Sequence, residues 1–282
     1  MKEFTKKLCF ELLPKRADDS HKGCFGKALC ICGCEKYRGA AALSSLGALR
    51  SGAGLVTLAA GENVINSVAS RILEATFIPL PDDDALFAAA KKSTACLIGC
   101  GLEQNEKTTV LVKSVLENAG GTVILDAGGL CAFATSPQAL LPYSERCIIT
   151  PHAGEMARLA GTDIGEILDH GAAIAREYAS ASGAVVVLKG HRTIIAAPDG
   201  EAYKNHTGNA GLARGGSGDV LAGMITGLCA QGLSPFDAAR CGVYLHGAAA
   251  DLCAKRLSMQ GMLPEDILHD IHTLFIENER HK

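Results

Sequence analysis

Tryptophan is absent from this 282-residue chain, and aromatic residues make up only 5% of it. Sequence-tolerant binding of single-stranded nucleic acid needs aromatic platforms for the bases to stack on, so that class of function is excluded. No excess of positive charge compensates. Lys and Arg number 27 against 30 Asp and Glu, a formal net charge of -3, so a broad phosphate-backbone footprint is excluded too and any phosphate recognition has to be local. Long apolar runs are missing as well. The most continuous ones, such as Ala184 to Leu188, are far too short to cross a bilayer. Cysteine, by contrast, is plentiful at twelve residues. In a small secreted chain that number reads as a disulfide framework. Scattered through a chain this long, whose charged amino-terminal stretch has no signal-peptide pattern, it points to free thiols in a reducing cytoplasm.

Cys30, Cys32 and Cys34 alternate along an expected strand and so share a face. A structural zinc site needs a second ligand pair at comparable spacing, and none is found. Small buried side chains are the expectation, and no metal ligand is assigned.

What is present is an alternation. Short runs rich in β-formers at 28–31, 55–59, 96–99, 122–126, 147–150 and 185–189 are almost continuously apolar, as strands covered on both faces must be. Stretches of helical composition at 39–51, 106–118 and 163–182 lie between them, which makes βαβ units and a parallel sheet the natural architecture. Pro198-Asp199-Gly200 joins β-like pieces at 193–197 and 201–204 and reads as a hairpin turn. Three helices are expected to close the chain, at 217–231, from Ser234-Pro235 with Asp237 as capping partner, and from Pro264. The first of these is apolar nearly all round, so it should be buried, with Gly223 and Gly227 letting a neighbour approach closely. No linker-like composition break or internal repeat interrupts the sequence, so one domain is expected over 1–282, with 1–21 as an amino-terminal extension.

The most informative segment is Gly215-Gly216-Ser217-Gly218-Asp219, which runs straight into the helix beginning Val220-Leu221. Glycines let backbone N–H groups close on an anion, and the positive end of the helix adds to the attraction. Asp219 falls in the first helical turn, where the dipole should favour its ionised form. A carboxylate beside a bound phosphate is placed to take a proton from an incoming hydroxyl. The plainer alternative is a tight turn with Asp219 as a cap. The preceding Asn205-to-Gly211 run is longer than a plain turn requires.

Other strand ends carry polar or glycine-rich sequence, where a doubly wound sheet puts its site. Gly33 to Ala40 follows the first expected strand and Gly99-Cys100-Gly101 the third. Neither completes a dinucleotide fingerprint or a Walker loop. Thr150 to Leu159 places His152 at a strand end and Glu155 in a first helical turn, where it either caps or contributes to a site. Lys189 to Thr193 follows the sixth strand. Lys189 there either pairs with a phosphate as a point charge or is a solvated strand end. His246 reads as a packed or surface histidine.

Taken together, these segments resemble the ADP- or ATP-dependent NAD(P)H-hydrate dehydratases of the ribokinase-like superfamily. The resemblance runs from about 22 to 256 and rests on 33–57, 98–102, 150–159, 189–193 and 205–221, in the family's order. It implies an α/β, three-layer ribokinase-like sandwich and a repair reaction that removes water from the S epimer of hydrated NADH or NADPH. The nucleotide, with magnesium bridging its phosphates, would phosphorylate the hydrate hydroxyl, and phosphate would then be eliminated. By the same resemblance Asp219 is catalytic. Lys189, Gly190, His191, Arg192, Thr193, Asn209, Gly211, Gly215, Gly216, Ser217 and Gly218 contact the nucleotide. Ala40, Gly101 and His152, with Asp219, contact the hydrate. It also implies a cytoplasmic homo-oligomer, tetramers being frequent among relatives, and a separate protein for the epimerase activity fused to many of them. Three positions depart from the pattern. Asp126-Ala127-Gly128 stands where Asp-Ala-Asp is expected, Glu103 replaces a glycine, and Arg214 enters the glycine-rich loop, where it could add a phosphate contact. A small-molecule kinase of the hydroxymethylpyrimidine or hydroxyethylthiazole type is the alternative, since the superfamily shares the glycine-aspartate loop.

Overall fold

The computed structural model describes residues 2–134 and 136–280. Ten strands among them form one sheet: Lys2–Glu3 (β1), Lys27–Ile31 (β2), Leu55–Gly61 (β3), Thr76–Leu80 (β4), Ala95–Ile98 (β5), Thr122–Leu125 (β6), Cys147–Ile149 (β7), Val185–Leu188 (β8), Ile194–Ala196 (β9) and Ala202–Lys204 (β10). Their spatial order is β1-β10-β9-β8-β7-β6-β5-β2-β3-β4, parallel throughout except at β9, which runs against both neighbours. The expected hairpin is thus β9 and β10.

Ten helices cover the sheet: Lys6–Leu12 (α1), Arg38–Arg50 (α2), Glu62–Val68 (α3), Asp83–Lys92 (α4), Glu106–Asn118 (α5), Ala153–Ala160 (α6), Ile164–Ser182 (α7), Ser217–Ala230 (α8), Pro235–Gly261 (α9) and Pro264–Arg280 (α10). Two apolar clusters divide them. One holds buried residues of α1, α2, α3, α8, α9 and α10, the other those of α4 to α7. The central strands serve both clusters. Leu29 and Ile31 face one layer and Ala28 and Cys30 the other, which is why these strands read as unbroken apolar runs. Helices on both faces of the sheet make three layers, the expected arrangement.

Local chemistry sets the helix ends. Asn105, Asp163 and Ser234 accept from the backbone N–H of Thr108, Glu166 and Asp237, so α5, α7 and α9 begin at side-chain caps. Gly161 and Gly183 adopt left-handed φ of 67° and 68° and end α6 and α7. Helix α8 is buried along almost its whole length. A Cβ on Gly223 would lie 2.1 Å from the Ser44 carbonyl, and one on Gly227 2.5 Å from that of Ala48. Only glycine permits this contact, so α2 and α8 touch backbone to backbone.

The sequence pattern did not announce five pieces. β4 is an edge strand with little burial, α3 and α4 are short, and the expected extension supplies β1, which pairs in parallel with β10, and α1, which packs on α9.

Parallel strands bring their carboxyl ends to one edge. The chain runs outward through β2, β3 and β4, returns to the far side of β2 at β5, and continues through β6, β7 and β8. A reversal of this kind leaves a crevice between β2 and β5.

Candidate active site

The ends of four strands, β5, β6, β7 and β8, converge there. Gly99, whose φ of 125° excludes a side chain, turns the chain after β5 so that Cys100 points inward and Gly101 meets the start of α2. A Cβ on Gly101 would sit 2.6 Å from Ala40 Cβ and 2.9 Å from the Tyr37 carbonyl. The structure thus brings together Ala40 and Gly101, two of the expected hydrate contacts.

Asp126 follows β6 and is almost wholly buried, its side chain 3% exposed. Thr150, after β7, donates its hydroxyl to Asp126 Oδ1 at 2.6 Å, and Lys189, after β8, donates Nζ to the same oxygen at 2.6 Å. Cys100 Sγ donates to Oδ2 at 3.2 Å. One carboxylate therefore ties three strand ends. Burial alone would depress the Lys189 ammonium, but the charges of Asp126 and Glu155 outweigh it and hold its pKa above the usual lysine value. Sequence reading noted Asp126 only as part of a departing motif. A lone acid closing the apolar run 122–125 was the available signal. Gly128 also has a reason. A Cβ there would fall 2.5 Å from the Leu102 carbonyl, so this backbone has no room for a second aspartate.

Asp219 enters from α8. Its carboxylate, Asp126 and the Cys100 thiol have ligand atoms all within 4.8 Å of one another. The helix dipole does not dominate its ionisation as the sequence suggested. Burial first, then the charge of Asp126, pushes its pKa from the ordinary 3.8 up to about 6, and hydrogen bonding from Cys100 and the charge of Lys189 only partly pull it back. Such a group is ionised at neutral pH yet close enough to neutrality to take up a proton. Cys100, hydrogen-bonded to the free thiol of Cys32, buried, and facing both carboxylates, has its pKa raised well above the ordinary thiol value and stays a neutral donor.

The loop before Asp219 is open. A Cβ on Gly215 or Gly190 would meet nothing within 4 Å, and one on Gly218 would meet only Lys189 Nζ, at 3.3 Å. Gly216, at φ 98°, is the residue before α8 and has no side chain to cap it, so the first N–H groups of the helix have no side-chain partner. The Ser217 hydroxyl is buried without a partner, as is Nε2 of His246. Burial lowers the pKa of His246 to about 4, so it is a neutral, packed residue of α9.

His152 sits beside Lys189 through a parallel bridge, and its Nδ1 accepts from the N–H of Gly154 and Glu155. Glu155 Oε2 returns the favour to the His152 N–H at 2.8 Å, so both serve as a capping box for α6, with the outer ring of His152 exposed. The segment His191 to Thr193 is largely solvent-facing. Thr193 Oγ1 closes a tight turn on Gly190, and Arg192 donates to the His206 carbonyl. Asn209 has its amide on Ala250 and Asp251, and its oxygen accepts from the Gly211 N–H. Together with the bond from the Gly208 N–H to Asp251, this fastens the loop to α9. Gly211 packs where a Cβ would strike Met262. Arg214 donates to the Gln260 carbonyl, and Glu103 is exposed beside Asn105.

A family described as NAD(P)H-hydrate dehydratase matches residues 28–273. The ADP-dependent (S)-NAD(P)H-hydrate dehydratase of Bacillus subtilis is 41% identical over 256 residues, 90% of this chain and 91% of that protein. The bifunctional NAD(P)H-hydrate repair enzyme of Moorella thermoacetica is 40% identical over 274 residues, 94% of this chain but 52% of that protein, so the chain spans about half the length of this relative. The crystal structure of the B. subtilis ADP/ATP-dependent NAD(P)H-hydrate dehydratase, co-crystallised with ATP and Mg2+, superposes with a TM-score of 0.84 at 35% identity and covers 98% of both chains.

Proposed function

Because this chain belongs to the NAD(P)H-hydrate dehydratase family, we propose that it uses ADP or ATP to return the S epimer of hydrated NADH or NADPH to the working dinucleotide. The observation that carries the reading is the uncapped start of α8, open at Gly215, beside Lys189 and the half-buried Asp219. Free N–H groups at a helix start and a fixed ammonium suit the terminal phosphate of a nucleotide.

Gly215, Gly216, Ser217 and Gly218 hold that phosphate. Gly190 to Thr193 and the loop shaped by Asn209 and Gly211 flank the rest of the nucleotide. Ala40, Gly101 and His152 border the hydrate on the other side. Asp219 Oδ takes the proton of the hydrate hydroxyl as its oxygen forms a bond to the terminal phosphoryl group, and the shortened nucleotide leaves. The C–O bond then breaks with phosphate, a far better leaving group than hydroxide, while a ring proton departs and the double bond returns. Asp126 keeps Lys189 aimed at the transferred charge.

Mg2+ fits this site chiefly through the nucleotide. Asp126 has both oxygens occupied by Thr150, Lys189 and Cys100, which leaves Asp219 as the open carboxylate of the cluster. Asp219 would help hold the ion, which would supply positive charge against the phosphates. The R epimer needs an epimerase activity, and we place the enzyme in the cytoplasm as a homo-oligomer.

The deciding assay supplies hydrated NADH with ADP and Mg2+ and follows absorbance at about 340 nm, the signature of the restored nicotinamide. Recovery that requires the nucleotide is expected. Stable transfer of phosphate to a pyrimidine or thiazole alcohol, without recovery, would replace this reading with the small-molecule kinase.

A further inference from the structure

At the opposite end of the sheet from Asp219 lies a cavity of about 490 Å³, formed by the stretch after α1, the ends of α2 and α8, and the last turns of α10. Its size falls within the roughly 300–1,000 Å³ of small-molecule pockets. Three basic side chains, Lys15, Arg16 and Arg50, line it against a single acid, Glu279.

Basic residues beside helix carboxyl ends ordinarily serve as caps, but here the capping is done by others. Gln231 Nε2 donates to the Ser51 carbonyl at 2.7 Å and to that of Gly227 at 2.8 Å, and Arg16 Nη2 donates to the Gly52 carbonyl at 2.6 Å. Gly52, at φ 105°, makes this possible, since a Cβ there would lie 2.7 Å from Gln231 and 2.9 Å from Arg16. Arg16 is fixed further by stacking over the Phe25 ring at 3.8 Å. Lys15 and Arg50, both exposed, have neither a carbonyl nor a carboxylate partner among the described residues.

A second observation points the same way. Asn278 is 6% exposed, lines this cavity, and has no side-chain hydrogen bond among the described residues. The amide is not sealed off from the cavity, so it is available to a group bound there. Phe275, half-buried, gives the cavity an apolar face, with the fully buried Leu228 behind it.

We propose that this cavity binds a small aromatic organic phosphate, with its phosphate held by Lys15 and Arg50, its ring against Phe275, and its ring edge read by Asn278. The site is independent of the nucleotide loop. No residue is shared, and occupancy is measured as binding rather than turnover, so this inference and the dehydratase reading fail separately.

The test is calorimetric titration of the full chain, with ADP and Mg2+ in excess to fill the α8 site, using phenyl phosphate and inorganic phosphate as probes. Phenyl phosphate should bind and inorganic phosphate bind more weakly. Arg50→Glu or Lys15→Glu should weaken phenyl phosphate by about tenfold or more through charge reversal, and Asn278→Ala should weaken phenyl phosphate severalfold while leaving inorganic phosphate unchanged. Turnover without the probe should be the same in Arg50→Glu as in the native chain. Both charge variants alter exposed side chains, so the test stands even if Asn278→Ala unfolds. No binding of phenyl phosphate, water alone in the cavity, or equal binding by Arg50→Glu would overturn the proposal.

Discussion

Helices α6 and α8 both begin at the carboxyl edge of the sheet, next to Lys189, yet their first turns are built in opposite ways. In α6 the His152 ring accepts from two backbone N–H groups and Glu155 reaches back to the N–H of His152. In α8 the preceding residue is Gly216, and no side chain caps the helix. Two helix starts with similar dipoles are therefore not equivalent as anion sites. The first has its donors occupied by its own sequence, and the second keeps them for a ligand. Capping chemistry, rather than the dipole, decides where a phosphate can bind.

The sharpest way to break this comparison is to remove the acid from the open helix. Asp219→Asn should lower turnover by about 10²–10⁴-fold, the range for losing a general base, while ADP binding changes little. Equal loss of both would make Asp219 structural. The same variant carries a stability signature. The folded pKa of about 6 lies above the ordinary 3.8, so ionising Asp219 is harder in the folded chain. The resulting destabilisation is absent below about pH 4, grows through the window between the two values, and is complete above about pH 6. Asp219→Asn should therefore be more stable than the native chain by on the order of 2 kcal/mol at neutral pH and indistinguishable from it in acid, as thermal melts across pH would show.

Closing the open helix start is the next test. Gly216→Ala puts a side chain at φ 98° and 2.7 Å from a Leu43 methyl. Strain of about 1–2 kcal/mol there should distort the donors and weaken ADP about tenfold in a binding titration. A smaller effect is expected at Cys100. Its thiol helps hold the Asp219 pKa down, so Cys100→Ala should move the acid limb of the pH–rate profile upward from about pH 6, lowering turnover about two- to fivefold at that pH and hardly at all at pH 8. Cys100→Ser should restore the limb, which a merely structural role would not do. Least of all, Glu155→Ala at the capped helix should lower stability by about 1 kcal/mol with ADP affinity intact. A matching loss of ADP affinity would erase the contrast between the two helices.

Much of this arrangement was legible in the sequence for physical reasons. The runs at 28–31, 96–99 and 185–189 are apolar on both faces because helices cover both sides, and that demand leaves a mark on every residue. The glycine loop was legible because few other needs put so many glycines ahead of a helix. Helix α8 was rightly read as buried, with Gly223 and Gly227 as contact points. What escaped depends on pairing across the chain. β1 is two residues long and exists only because β10 lies beside it, and β4, with a proline and an exposed face, has no alternating pattern to detect. Asp126 escaped for a related reason. Its importance comes from Thr150, Lys189 and Cys100, none of which is near it in sequence.

The backbone contact between α2 and α8 has a mechanical consequence. At Gly47, Gly223 and Gly227 the nearest neighbours across the seam are mostly backbone atoms, so the spacing of the two helices there is set by carbonyls against α-carbons. Asp219 rides at one end of that rod and the Ala40 end of α2 stands across from it, so an error of a few tenths of an ångström anywhere along the seam would be delivered undamped to the distance between acid and hydroxyl. A methyl group added at Gly223, well away from either reactant, should therefore do two things at once, weakening the fold as α2 and α8 are pushed apart and moving the acid away from the hydroxyl it serves.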